Sequence, residues 1–218
     1  TWEYNTAVSL VDNWDISAAS FVQSFSVSAQ ENSPRSVFFK PDGTKMYFVG
    51  ANIDVVAEYN LSTAWDVSTA SFLQNFSLAG NPLADPLSMG IFFKSDGTKM
   101  YIVDFGGLAV YEYNISTAWD VSTASYVQNF SISAQEASPE GLFFKSDGTK
   151  MYIVGRTGDD VNEYNLSTAW DVSTASYSQN FSVSAQETRP NGIFFKPDGT
   201  KMYVIGSDGD NVNEYNLS

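Results

Sequence analysis

Cysteine and histidine are both missing from the 218 residues. Without cysteine there is no disulfide and no thiolate metal site. Without histidine the commonest general base and metal ligand is gone, and with it every Ser-His or Cys-His nucleophile. Basic residues are scarce: 11 Lys and Arg stand against 25 Asp and Glu, a net charge of −14. A nucleic-acid binder needs cations to neutralise phosphates, so no nucleic-acid partner is expected. No apolar run approaches the roughly eighteen residues of a membrane helix, so no membrane insertion is expected either. The start at Thr1, with no basic-then-apolar leader, reads as a processed or trimmed chain. The 43% hydrophobic content is enough for a real core.

The chain repeats itself. The second Phe of each FF pair is Phe39, Phe93, Phe144 and Phe195, in steps of 54, 51 and 51 residues. The Trp-Asp pair begins at Trp14, Trp65, Trp119 and Trp170, in steps of 51, 54 and 51. Two unrelated markers share one period, and that period suits a propeller blade better than the shorter helical repeats. Each unit carries β-rich runs such as Lys45 to Val49 and alternation such as Phe72, Gln74, Phe76. Between them lies Asp-Gly turn chemistry, preceded by Pro41 in the first copy and by Ser95 and Ser146 in the next two. Four strands per unit are expected, near 36–40, 45–50, 55–61 and 70–78 in the first. The predicted fold is all-β: a four-bladed β-propeller of four-stranded antiparallel blades. The units are placed near 29–78, 79–132, 133–183 and 184–218 plus 15–28. An outer strand at 19–27 is expected to complete the last blade and close the ring, removing two edges. Glu3-Tyr4-Asn5 is a fifth copy of a thrice-repeated and once-terminal phrase, and it reads as a cap, as a fifth strand, or as an edge by which residues 1–7 pair with another chain.

"PDGTKMYVIG" followed by "VNEYNLS" resembles the YVTN/PD40-type propeller repeat over nearly the whole chain. The resemblance implies a propeller; seven blades are usual in that family, whereas four are counted here. It leaves activity open, since such propellers serve lactonases, surface-layer proteins and binding modules alike.

Residues present in every copy read as scaffold: Glu58, Glu112, Glu163 and Glu214 of the Glu-Tyr-Asn phrase, and the Trp-Asp pairs, with Asp capping a turn and Trp packing between blades. The Asn-x-Ser triplets at Asn60, Asn75, Asn114, Asn129, Asn165, Asn180 and Asn216 belong to two duplicated phrases and are read as coincidence. Gly158-Asp159-Asp160 and Asp208-Gly209-Asp210-Asn211 gather oxygen ligands, but Asp-Gly is ordinary turn chemistry. No cofactor and no metal ligand is assigned, with calcium left open at those loops.

The copies differ in two places: the connections between second and third strands, and those between one unit and the next. Both lie on one face of an up-and-down propeller. All three arginines are there, whereas all eight lysines sit at the constant turns opposite. The expected ligand-binding set is Arg35, Asp54, Leu83, Leu87, Met89, Phe105, Leu108, Arg156, Asp159, Arg189, Asp208 and Asp210, with no catalytic residue. The expected function is a non-catalytic binding or surface-recognition module for a glycan or protein surface, outside the cell or on a cell or virion surface. The alternatives are a carboxylate-based hydrolase, lactonase-like or glycosidase-like, and a purely structural stacking unit.

Overall fold

The computed structural model describes residues 20–52, 54–80 and 87–217. The first blade is β1 (Pro34–Phe39), β2 (Lys45–Gly50), β3 (Val55–Leu61) and β4 (Ala70–Ser77); the second is β5 (Ser88–Phe93), β6 (Lys99–Asp104), β7 (Ala109–Ile115) and β8 (Ala124–Ser131). The third is β9 (Pro139–Phe144), β10 (Lys150–Gly155), β11 (Asp160–Leu166) and β12 (Ala175–Ser182), and the fourth holds β13 (Pro190–Phe195), β14 (Lys201–Gly206) and β15 (Val212–Asn216). Each sheet is an antiparallel meander in chain order, four-stranded in the first three blades and three-stranded in the fourth. The architecture is the four-bladed β-propeller that the repeat predicts.

Each blade starts with the same hairpin. In the first, Gly43 turns at φ +73°, a conformation in which glycine alone is unstrained. Asp42 accepts from the Thr44 backbone N–H at 3.0 Å and from its hydroxyl at 2.6 Å, and Lys40 closes on the other carboxylate oxygen at 2.6 Å. These bonds, from the Lys40 and Thr44 side chains first, hold the Asp42 carboxyl below the usual carboxylate range. The Trp of the next connection folds back over this turn. A Cβ on Gly97 would lie 2.4 Å from the Trp119 ring, so the turn needs glycine for space as well as for φ.

Adjacent blades are joined by aromatic rings and by one buried carboxylate. Inner strands β1, β5, β9 and β13 follow one another, and their phenylalanines meet edge to face: Phe38–Phe92 at 5.5 Å, Phe92–Phe143 at 5.3 Å, Phe143–Phe194 at 5.6 Å. Trp119 stacks on Phe93 of its own blade and on Phe38 of the blade before, while its carbonyl accepts from the Tyr47 hydroxyl at 2.7 Å. Trp170, Phe92 and Tyr101 repeat the arrangement one junction on. Glu58 is fully buried; it pairs with Lys45 and accepts from Gln74 at 2.8 Å and from the Val121 backbone N–H of the next blade at 3.1 Å. Glu112 does the same with Lys99, Gln128 and Val172. The expectation that these repeated acids and tryptophans are scaffold holds at Glu58, Glu112, Trp119 and Trp170, whereas Trp65 of the first blade is 59% exposed and stacks on Phe39 of its own blade. Asp66, Asp120 and Asp171 each cap a 3-10 turn.

Of the outer strand expected at 19–27, residue 19 lies outside the described residues, and residues 20–27 form no ladder with β15. They lie on the first blade. Phe25 meets Tyr59 at 5.6 Å and 81°, matching Phe76–Tyr113 at 5.6 Å and 80° and Phe130–Tyr164 at 5.6 Å and 78°. Gln23 donates to Asp66 at 2.6 Å, as Gln74 does to Asp120 and Gln128 to Asp171 in the following blades. Side-chain contacts of an outer strand are thus present without its backbone ladder. The Glu3-Tyr4-Asn5 copy and residues 1–7 lie outside the described residues.

Replacing Trp119 with Ala removes the ring that wedges the first junction, and a buried aromatic truncation of this kind costs about 3–5 kcal/mol. Urea unfolding should show that loss in the midpoint; a change under about 0.5 kcal/mol, typical of plain surface sites, would refute the wedge role.

Candidate active site

Inner strands run from the varied face to the constant turns, so the first residues of β1, β5, β9 and β13 ring one mouth of the propeller. The second residue of each strand differs: Arg35, Met89, Glu140 and Asn191. Around this ring the loops are pinned by buried carboxylates. Glu136 accepts from the backbone N–H of Ser138 at 2.6 Å and of Thr157 at 3.1 Å. Glu187 accepts from Arg189, Asp208 and Gly209. In the second blade, where the connection is three residues longer, Asp104 of β6 takes over and accepts from Leu87 at 2.7 Å and Gly107 at 2.6 Å. A rigid collar of this kind is what a site on loops requires.

Glu140 is the acid that these pins do not use. It is 6% exposed, its Oε1 lies 2.9 Å from Arg156 Nε, and Arg156 reaches on to the Asn191 side-chain oxygen with Nη2 at 3.0 Å. Burial pushes the Glu140 carboxyl above the ordinary range and nearby Glu136 pushes the same way, while the charges of Arg156, Arg35 and Arg189 pull it down. Glu136 Oε2 beside it is buried and without a hydrogen-bond partner among the described residues. Glu140, Arg156 and Asn191 therefore meet at one mouth, near enough to Arg35 and Arg189 for their charges to act on Glu140. A carboxyl with a raised pKa facing arginines is suited to moving a proton beside a bound anion.

The varied face does bring together Arg35, Arg156 and Arg189, and Met89 stands next to them in the ring. Several other expected residues have structural work. Asp54, Leu108 and Asp159 turn the chain at φ +50°, +46° and +48°, and their carbonyls accept from Leu78, Ile132 and Val183. Asp210 turns at φ +51° and is exposed. Phe105 packs against the core shared by the second and third blades, and Met89 is part of that core. Leu87 supplies the N–H that Asp104 holds. Asp208 takes the Thr188 hydroxyl at 2.7 Å and lies 3.7 Å from Arg189. Leu83 lies outside the described residues. Sequence reasoning missed Glu140 and Asn191. The signal was the residue after Pro34, Ser88, Pro139 and Pro190, which differs in every copy. Among the described residues no group of three or more acids could hold a metal ion. The channel itself is a cavity of about 1010 Å³, walled by inner-strand phenylalanines and by Pro41, Ser95, Ser146 and Pro197 of the constant turns. It also reaches Lys150, Tyr152, Glu163 and Gln179 on the flank of the third blade, whereas Glu140 and Arg156 are not among its walls.

No protein-family model matches the sequence, and no curated protein matches it. Solved structures do. A protein of Bacteroides uniformis provisionally named a 6-phosphogluconolactonase superposes with a TM-score of 0.61 at 13% identity, covering 85% of this chain and 50% of its own. The periplasmic gluconolactonase PpgL of Pseudomonas aeruginosa gives 0.55 at 17%, covering 85% and 50%. The WD40 repeats of RRP9 give 0.56 at 12%, covering 85% and 48%. The chain spans about half the length of these structures, and identities so low show the propeller fold. The expectations of a non-catalytic module and of no enzyme are corrected by this comparison: the similar structures include lactonases, which favours the hydrolase alternative. Glu140 drew no notice in the sequence because the acids weighed there were those shared by all copies, whereas it occurs once.

Carboxyl-detected NMR should place the Glu140 titration above that of an ordinary glutamate, and Arg156→Ala should raise it further by removing the nearest cation. Because the folded pKa is raised, Glu140's contribution to stability is full below the unfolded value and is lost as pH rises through the folded one. A titration at or below the ordinary value would refute this description of the site.

Proposed function

We propose that the chain is a lactonase-type hydrolase on a propeller of the YVTN/PD40 type, with Glu140 as its acid–base group and Arg156, Arg35 and Arg189 as its anion-binding groups. The single observation that carries this reading is the buried Glu140, ionically paired with Arg156 at a mouth ringed by three arginines. The names of the lactonase structures support the substrate class. In the reaction, Glu140 takes a proton from water as its oxygen attacks the lactone carbonyl carbon. Arginine N–H groups stabilise the charge that develops on the carbonyl oxygen. The tetrahedral intermediate collapses, the ring carbon–oxygen bond breaks, and the proton on Glu140 passes to the departing ring oxygen. The product is a hydroxy acid, and Glu140 returns to its ionised form. A phosphate or carboxylate on the substrate suits the remaining arginines.

Hydrolysis of glucono-δ-lactone and of its 6-phosphate, measured above the spontaneous rate, tests this. Glu140→Gln should lower kcat/KM by about 10²–10⁴ with the fold retained. Arg35→Ala should raise KM for the phosphorylated lactone more than for the neutral one. The rate should rise with pH as Glu140 ionises, at a midpoint above that of an ordinary glutamate. Unchanged turnover in Glu140→Gln, or no turnover in the parent protein, would overturn the reading.

A further inference from the structure

Every inner strand breaks its ladder at the same place. Its pairing with the second strand passes from Pro34 to Ser36, from Ser88 to Gly90, from Pro139 to Gly141 and from Pro190 to Gly192. The residues left out are Arg35, Met89, Glu140 and Asn191, the four unlike members of the ring. A bulge leaves its extra residue unpaired, disrupts the ladder locally and re-aims the side chain. In the fourth blade the bulged residue is an asparagine followed by Gly192, and Asn191-Gly192 is the one Asn-Gly pair in the chain.

An asparagine side chain reaches the backbone beside it, and its carboxamide carbon can close a succinimide ring on the nitrogen of the next residue. Glycine leaves that approach unobstructed because it has no Cβ. The fold adds an activating group. Arg156 donates to Asn191 Oδ1 from Nε at 3.3 Å and from Nη2 at 3.0 Å. A guanidinium on a carbonyl oxygen draws electrons from the carbon and stabilises the negative charge that an attack places on the oxygen. Asn191 is partly exposed, so water reaches it. The turn aspartates that precede glycine are protected by contrast. Bonds from a lysine and a threonine side chain hold Asp42, Asp147 and Asp198 ionised, and a carboxylate is a poor electrophile. We propose that Asn191 is a self-modifying site, converted in the folded protein from a carboxamide to a carboxylate with Arg156 as the promoting group. The Gly192 nitrogen gives its proton to water or hydroxide and bonds to Asn191 Cγ. The Cγ–Nδ2 bond breaks, and the nitrogen leaves as ammonia with a proton from water. A water molecule then opens the succinimide. Breaking the new bond leaves aspartate; breaking the original peptide bond leaves isoaspartate. The aspartate product sets a second carboxylate against Arg156, in competition with Glu140, which lies 2.9 Å from Arg156 Nε. This inference is independent of the proposed activity.

Ageing the folded protein at mildly alkaline pH, with peptide mass mapping at intervals, tests this. The peptide that contains Asn191 should gain the mass difference between amide and acid, as a mixture of aspartate and isoaspartate. The other asparagine peptides should keep their mass, and circular dichroism should keep its β signature. Gly192→Ser, which supplies the residue that the first blade carries as Ser36, should slow the conversion to the rate of the other asparagines. Arg156→Lys keeps the charge but not the two N–H groups on Oδ1, so it should slow the conversion as well. In Asn191→Asp the carboxyl-detected titration of Glu140 should lie above that of the parent protein, because a like charge disfavours ionisation. Asn191 intact after a free peptide of the same local sequence has converted would overturn the proposal. So would a rate that Arg156→Lys leaves unchanged, and so would an unmoved Glu140 titration in Asn191→Asp.

Discussion

A buried carboxylate on the third strand of the first and second blades is the constraint on which the rest depends. Burying an unpaired charge costs several kcal/mol, so Glu58 and Glu112 can be buried only if every lone pair is met. The partners come from three places: a lysine on the second strand, a glutamine on the fourth, and a backbone N–H of the following blade. The first two fix register inside the blade. The third fixes how the next blade sits. A bulge at Glu58–Tyr59, repeated at Glu112–Tyr113 and Glu163–Tyr164, turns the acid toward these partners and the tyrosine toward its own core. No such N–H reaches Glu163 or Glu214 among the described residues: each keeps its lysine, with Glu163 14% and Glu214 50% exposed.

This device explains why repetition is confined to one part of the molecule. The Asp-Gly hairpin, the Trp that covers it, and the Glu, Gln and Tyr that receive the next blade form one interlocking set. Altering any member in one copy disturbs two blades. The opposite mouth carries no such coupling beyond its carboxylate pins, so each copy is free to place its own side chain there. Arg35, Met89, Glu140 and Asn191 are the outcome. Unlike residues at like positions make an asymmetric site from a symmetric frame.

The propeller, its four blades and the scaffold role of the repeated acids were legible because period, turn chemistry and strand alternation all point the same way. The grouping of the three arginines was legible too, since up-and-down topology places their loops on one face. Glu140 was not, because its importance comes from burial beside Glu136 and from the reach of Arg156 across two blades, neither of which leaves a pattern in sequence. Phe105 read as an exposed contact residue, yet its ring turns into the core; an apolar residue in a loop carries no sign of which way it points. The N-terminal segment was recognised as outer-strand sequence, but the blade on which it rests depends on the curvature of the whole set of blades.

Methionine labelling tests the division of labour between the two faces directly. Met46, Met100, Met151 and Met202 occupy the repeated Lys-Met-Tyr phrase, while Met89 alone stands in the varied ring beside Glu140 and Arg35. With 13C-labelled methionine methyls, titration with 6-phosphogluconate should move the Met89 resonance saturably and leave the other four in place. Movement of the four repeated methionines with Met89 unchanged would put the binding site in the constant part of the propeller and contradict the account.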